Sequence, residues 1–142
     1  NKVCVFVRQN SIEFRKSYVD KVRSSFSIDV DIYAIEEQVL LSKHINEADL
    51  LINTTKLGMG QDIDKSPLND EIKLPEHICV LDLIYNPGET RLLAKAKADG
   101  CIRYSNGLNM LVYQGVKSFE HFTGKKIDIY DIFRVLENAF KF

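Results

Sequence analysis

The stretch "DLLINTTKLGMG" (residues 49–60) decides the fold. Leu50, Leu51 and Ile52 form a continuous apolar run, the mark of a strand covered on both faces in a parallel sheet. The run stops at Asn53, Thr54, Thr55 and Lys56, and Gly58 and Gly60 then turn the chain. A surface turn needs no such cluster of amide and hydroxyls after a buried strand. The carboxyl end of a parallel strand does, because ligands of open α/β sheets bind there.

The same unit recurs on both sides. Upstream, Val3 to Val7 reads as a covered strand, and Phe14, Tyr18, Val22 and Phe26 recur every four residues, placing a helix from near Ser11 to near Ser25 with Asn10 and Glu13 as a capping box. "DVDIYAI" (29–35) reads as a strand and "EEQVLLSKHINEA" (36–48) as a helix. Downstream come "ICVLDLIY" (78–85) as a strand, "ETRLLAKAKADG" (89–100) as a helix capped by Gly100, and "CIRYS" (101–105) as a short strand. From Gly107 to Phe122, a stripe of Leu108, Leu111, Val112, Val116, Phe119 and Phe122 predicts a packed helix, and a last helix runs from about Tyr130 to Phe140. Alternating strands and helices predict an α/β, Rossmann-like, doubly wound and mainly parallel sheet over residues 1–142 as one domain, with C-terminal helices from about 107 onward.

Composition sets outer bounds. The chain has 142 residues, 45% hydrophobic and 27% charged, with a net charge of −1, which offers no electrostatic basis for binding nucleic acid or a membrane surface. Cys4, Cys79 and Cys101 share no CxxC spacing and read as reduced thiols, and no apolar run is long enough to span a bilayer, so the expected compartment is cytoplasmic. His44, His77 and His121 lack mutual ligand spacing, so no metal is expected, and no nucleophile sits in an elbow. A small-molecule partner fits best; a homodimer is left open.

Chemistry is expected at the strand ends: Arg8-Gln9-Asn10-Ser11, Asn53-Thr54-Thr55, Tyr85-Asn86-Pro87-Gly88 and the entry to the long helix at Asn106-Gly107. Each alone has a structural explanation as a solvated strand end, cap or turn. Their recurrence at corresponding ends of successive strands favours a ligand site. On the long helix, Met110 and Gln114 lie one turn apart, outside the main apolar stripe, with Tyr113 and Lys117 near them.

The segments "ADLLINTTKLGM", "SPL", "LDLIYNPGETRLLAKAKADG" and "NGLNMLVYQGVKSFEHFTGK" follow the order and approximate spacing of the shikimate and quinate dehydrogenase family, whose C-terminal dinucleotide-binding part the chain resembles over nearly all its length. The resemblance implies hydride transfer between shikimate and 3-dehydroshikimate with NADP. It implies that Asn53, Thr54 and Thr55 line the nicotinamide-ribose side and that Arg8 holds the adenosine 2′-phosphate. Gly107 and Met110 would lie at the cofactor, and Tyr85 and Gln114 at the substrate. Arg8 has no acid close behind it until Glu13, and a guanidinium pairs with phosphate through a planar fork, so the residues favour NADP over NAD.

No G-x-G-x-x-G stands between a first strand and a first helix. By the resemblance, "VCVFVRQ" is the second strand, and the first strand, its helix and the Lys and Asp pair that handles the hydroxyl proton lie outside these residues. No catalytic residue is therefore assigned; Lys56 and Asp82 match neither member of that pair. The expectation is a fragment of a longer polypeptide, inactive by itself, with a gap in its sheet where two strands face each other unpaired unless the gap closes by rearrangement or by another chain. The competing reading is a non-catalytic α/β module that binds a nucleotide or metabolite, or serves in interactions.

Overall fold

The structure, a computed structural model, describes residues 2–140, with side chains described through residue 136. The strands are β1 (Lys2–Val7), β2 (Asp29–Ala34), β3 (Leu50–Asn53), β4 (Cys79–Asp82) and β5 (Arg103–Ser105). The α-helices are α1 (Ile12–Phe26), α2 (Gln38–Glu47), α3 (Arg91–Ala98), α4 (Leu108–Thr123) and α5 (Ile129–Phe140). Short 3-10 turns occupy Gln9–Ser11 and Gly60–Asp62.

All strand pairs are parallel, but they fall into two sheets: β1 beside β2, and β3-β4-β5. In the doubly wound order 3-2-1-4-5-6 these are strands 3-2 and 4-5-6, so the break lies where strand 1 belongs. Among the described residues no rearrangement closes it. On one face α2 bridges the two sheets: His44 lies 3.5 Å from Cys4 Sγ and stacks on Tyr33, and Phe6 packs against the main core.

That core belongs to the three-stranded sheet. Ile78, Val80 and Leu74 are fully buried, joined by Leu41 and Ile45 of α2 and by Leu92, Leu93 and Ala96 of α3. The segment between residues 63 and 78 has neither helix nor strand, yet Leu68, Ile72 and Leu74 make it part of the interior. The register pairs Leu50 with Cys79 and Ile52 with Leu81, placing these four on one sheet face, and Leu51, Asn53, Val80 and Asp82 on the other. The second face is covered by the core, whereas Leu50 and Ile52 remain 50% and 45% exposed.

Helix α1 forms as its periodicity predicts, but the stripe that predicts it is uncovered: Phe14 is 67% and Phe26 69% exposed, with Tyr18 and Val22 also exposed. Only Val19 of this helix is buried, on the side facing β2. Right-handed crossovers place the helix that joins strands 1 and 2 on this same face, so the stripe and Leu50/Ile52 border the position of the absent strand-helix unit. The expected Asn10/Glu13 capping box does not form. The 3-10 turn precedes the helix, Ser11 Oγ donates to Asn10 Oδ1, and Glu13 pairs with Lys16. In α4, Val112 and Val116 are buried as expected, but Phe119 and Phe122 are exposed, so the stripe packs only along its first half.

Candidate functional site at the carboxyl ends of the strands

Parallel register brings Asn53 beside Asp82, and β5 ends at Ser105 next to Leu81, so the turns after β3, β4 and β5 emerge together. Their scaffold is a buried polar network centred on Asp82, which is 0% exposed. Asn53 Nδ2 donates to Asp82 Oδ1 at 3.0 Å, the Ile84 N–H donates to the same oxygen at 3.1 Å, and Thr90 Oγ1 donates to Asp82 Oδ2 at 2.7 Å. Thr90 in turn caps α3 by accepting from the Leu93 N–H. One carboxylate therefore ties the ends of two strands to the start of a helix, with every donor matched, the condition for a buried charge to be tolerated.

Asn53 is consumed by this network. Its Oδ1 accepts from the Thr55 N–H and hydroxyl at 3.0 and 2.8 Å, and its Nδ2 also donates to the Leu57 carbonyl. At 3% exposure its side chain shapes the turn and leaves Thr54 and Thr55 exposed on it. Thr55 Oγ1 accepts from the Leu57 N–H, closing the turn. Gly58 adopts φ +113°, and a Cβ there would press to 3.3 Å against Ile84 and Thr90, so this glycine fits the turn onto the network.

Gly107 locks the fourth turn. A Cβ built on it would lie 2.0 Å from the Leu83 carbonyl oxygen, and its N–H donates to the Ile84 carbonyl at 3.1 Å. Only glycine lets the start of α4 approach the turn after β4 this closely. Asn106 reinforces the junction: its Nδ2 donates to the Gly88 carbonyl and its Oδ1 accepts from the Leu108 N–H. The Asn86–Pro87 peptide in this turn is cis. Tyr85 and Met110 are 47% and 43% exposed beside these junctions. Gln114 is exposed further along α4, about 10 Å from Gly107 at the helical rise.

Arg8 stands apart from these, at the end of β1 in the two-stranded sheet, exposed and directly before the 3-10 turn. Among the described residues it enters no ion pair. The β1–β2 register, extended by the Ile35 N–H donating to the Val7 carbonyl at 2.8 Å, brings the end of β2 alongside. From there Glu36 reaches back, and its Oε2 accepts from the Gln9 N–H at 3.0 Å. Sequence reasoning finds no acid near Arg8 before Glu13; the nearby acid comes through space, from the next strand end.

Burial pushes the Cys4 and Cys101 thiols above the ordinary thiol range.

Parallel strands, helices on both faces and polar turns gathered at the carboxyl ends define an open α/β sheet of the Rossmann-like class. The sequence pattern described as "Shikimate 5′-dehydrogenase C-terminal domain" matches residues 107–133. A shikimate dehydrogenase (NADP(+)) of Streptococcus pneumoniae (strain ATCC 700669 / Spain 23F-1) is 39% identical over 141 residues, covering 99% of this chain and 49% of that protein. Among solved structures, shikimate 5-dehydrogenase from Listeria monocytogenes in complex with shikimate and NAD superposes with a TM-score of 0.87 at 30% identity, over 96% of this chain and 47% of the other. Quinate dehydrogenase from Corynebacterium glutamicum in complex with NAD gives 0.77 at 26% identity, over 92% of this chain and 44% of the other. The chain belongs to the shikimate/quinate dehydrogenase family and spans about half the length of the curated relatives it matches.

Proposed function

We propose that this chain is the NADP-binding half of a shikimate dehydrogenase-like oxidoreductase, interconverting shikimate and 3-dehydroshikimate in the cytoplasm, and that it is inactive without the rest of that enzyme. The observation that carries the reading is the 39% identity across the whole chain to an NADP-named shikimate dehydrogenase, combined with exposed polar groups at the matching strand ends.

The residues fit a dinucleotide. Arg8 offers a cation without an ion-pair partner among the described residues, suited to a 2′-phosphate, beside the first N–H groups leading into α1. Thr55, held by Asn53, fixes the turn on which exposed Thr54 presents its hydroxyl to the nicotinamide ribose, and Met110 at the start of α4 offers an apolar, adaptable wall to the ring. Gly107 serves this site by fixing where α4 begins. Tyr85 and Gln114 supply hydrogen bonds to the polyhydroxy substrate. The bound nicotinamide supplies or accepts the hydride; proton transfer at the substrate hydroxyl falls to groups outside this chain.

Relatives are named with NADP(+) and solved neighbours are described in complex with NAD or with NADP+, and Arg8 is the residue of this chain that favours NADP. The test of the reaction is turnover of the intact natural polypeptide with shikimate and NADP. We expect formation of reduced cofactor, and Gln114→Ala raising KM for shikimate about tenfold while thermal stability is kept. No turnover with shikimate or quinate, with either cofactor, contradicts the proposal.

A further inference from the structure

We propose that Glu36 is a specificity-determining residue that holds down the affinity for 2′-phosphorylated nucleotides by placing its carboxylate where the phosphate would settle. The inference rests on the reading of Arg8 given above. It goes beyond it by assigning a counterweight to that arginine.

The geometry is local. An anion docking beside Arg8 would seek the free N–H groups of the turn that leads into α1. Within that turn the Ser11 N–H donates to the Arg8 carbonyl and the Ile12 N–H to the Gln9 carbonyl, while neither Arg8 nor Ser11 makes a side-chain cap, which leaves the Gln9 N–H for an acceptor from outside the turn. The acceptor that does arrive is Glu36 Oε2, 3.0 Å from the Gln9 nitrogen. It comes from the end of β2, where the Glu37 N–H donates to the Ala34 carbonyl and fixes the bend that carries Glu36 toward the end of β1. Glu36 is exposed and its carboxylate has no ion pair among the described residues, so it is free to swing aside.

A phosphate oxygen and Glu36 Oε2 cannot both accept the single Gln9 proton, and the two anions repel at this range. Binding a 2′-phosphate therefore requires Glu36 to leave its N–H and retreat, whereas a nucleotide with a 2′-hydroxyl meets no such repulsion. Arg8 attracts the phosphate and Glu36 opposes it, so the balance between the two cofactors is set by a pair of residues on adjacent strand ends.

The test uses the intact natural polypeptide and two probes that report only the adenosine end: adenosine 2′,5′-bisphosphate and AMP. Calorimetric titration compares the unaltered protein with Glu36→Gln, Glu36→Ala and Arg8→Ala. Removing the carboxylate should tighten the bisphosphate about three- to tenfold, the size of a screened repulsion at an exposed site, in both Glu36 variants, and leave AMP within about twofold. The gain should shrink as salt is raised. Bisphosphate affinity that is unchanged or weaker in the Glu36 variants overturns the inference. If Arg8→Ala abolishes the preference for bisphosphate while the Glu36 variants show no gain, this inference alone fails; if Arg8→Ala also changes nothing, the assignment of Arg8 fails with it.

Discussion

The two halves of the sheet are built from the same kind of unit and finished differently. The β3-β4-β5 half has Val80 and Asp82 fully buried on its central strand, helices α2 and α3 packed on it, and a polar network in which each donor to Asp82 is accounted for. The β1-β2 half has Val30 and Ala34 buried but shows water the stripe Phe14-Tyr18-Val22-Phe26 of its helix. The difference does not come from composition, since both halves carry enough apolar residues. It comes from missing neighbours: both halves border the place of an absent strand and helix, but the three-stranded half contains the helices that cover its other face, whereas the helix of the two-stranded half lies on the face left open. An apolar stripe states that a helix has an inside, but only the rest of the fold decides whether anything lies there.

The largest expected effect lies in the closed half. Asp82→Ala leaves the Asn53 amide, the Ile84 N–H and the Thr90 hydroxyl without their shared acceptor, and should cost about 3–5 kcal/mol in chemical denaturation of the intact polypeptide. Asp82→Asn, which keeps one oxygen, should cost clearly less. A loss below about 1 kcal/mol for the alanine variant would mean that the network does not hold the strand ends. Next, Gly107→Ala should cost about 3 kcal/mol, because the added methyl collides with backbone that cannot move aside as a side chain could.

The open half should respond according to context. Phe14→Ala should change the stability of the isolated 142-residue chain by no more than about 0.5 kcal/mol, since the ring is already in water. In a polypeptide that supplies the strand and helix at the gap, the same change should cost about 3 kcal/mol, as for a buried aromatic. Equal small effects in both would refute the assignment of that face.

The smallest effect is electrostatic. The Lys2 ammonium, followed by the Tyr33 hydroxyl, holds Asp31 below the ordinary carboxylate range. A carboxyl with a depressed folded pKa contributes stability that is present above its unfolded value, near 4, and is lost as pH falls through the folded one. Lys2 is exposed and Asp31 and Tyr33 are half-buried at the surface, so solvent screening keeps the effect on stability slight, but an NMR titration of Asp31 should show the depressed pKa, and Lys2→Ala should raise it.

Much of this was legible in the sequence because it depends on local order. The run Leu50–Ile52 ending in Asn53-Thr54-Thr55 locates a strand end, and alternation of elements implies the parallel sheet. The absence of a glycine-rich loop before the first helix points to the gap that divides the two sheets. What was hidden depends on contacts through space. Asp82 sits in a motif that attracts notice, yet its three partners come from residues 53, 84 and 90, and no periodicity links them. Asn53 carries the chemistry of a ligand contact but spends it on Thr55, Leu57 and Asp82. Glu36 is remote from Arg8 in the chain and reaches its loop only because β1 and β2 are in parallel register.

The central claim is that the strand ends of this chain form a site for NADP with Arg8 at the 2′-phosphate. It is tested most directly by titrating the intact polypeptide with NADP and NAD beside its Arg8→Ala variant. The account predicts that the variant loses about 10- to 100-fold in NADP affinity, the worth of a charge-assisted contact, with NAD affinity unchanged. An equal loss for both cofactors, or none for either, would contradict it.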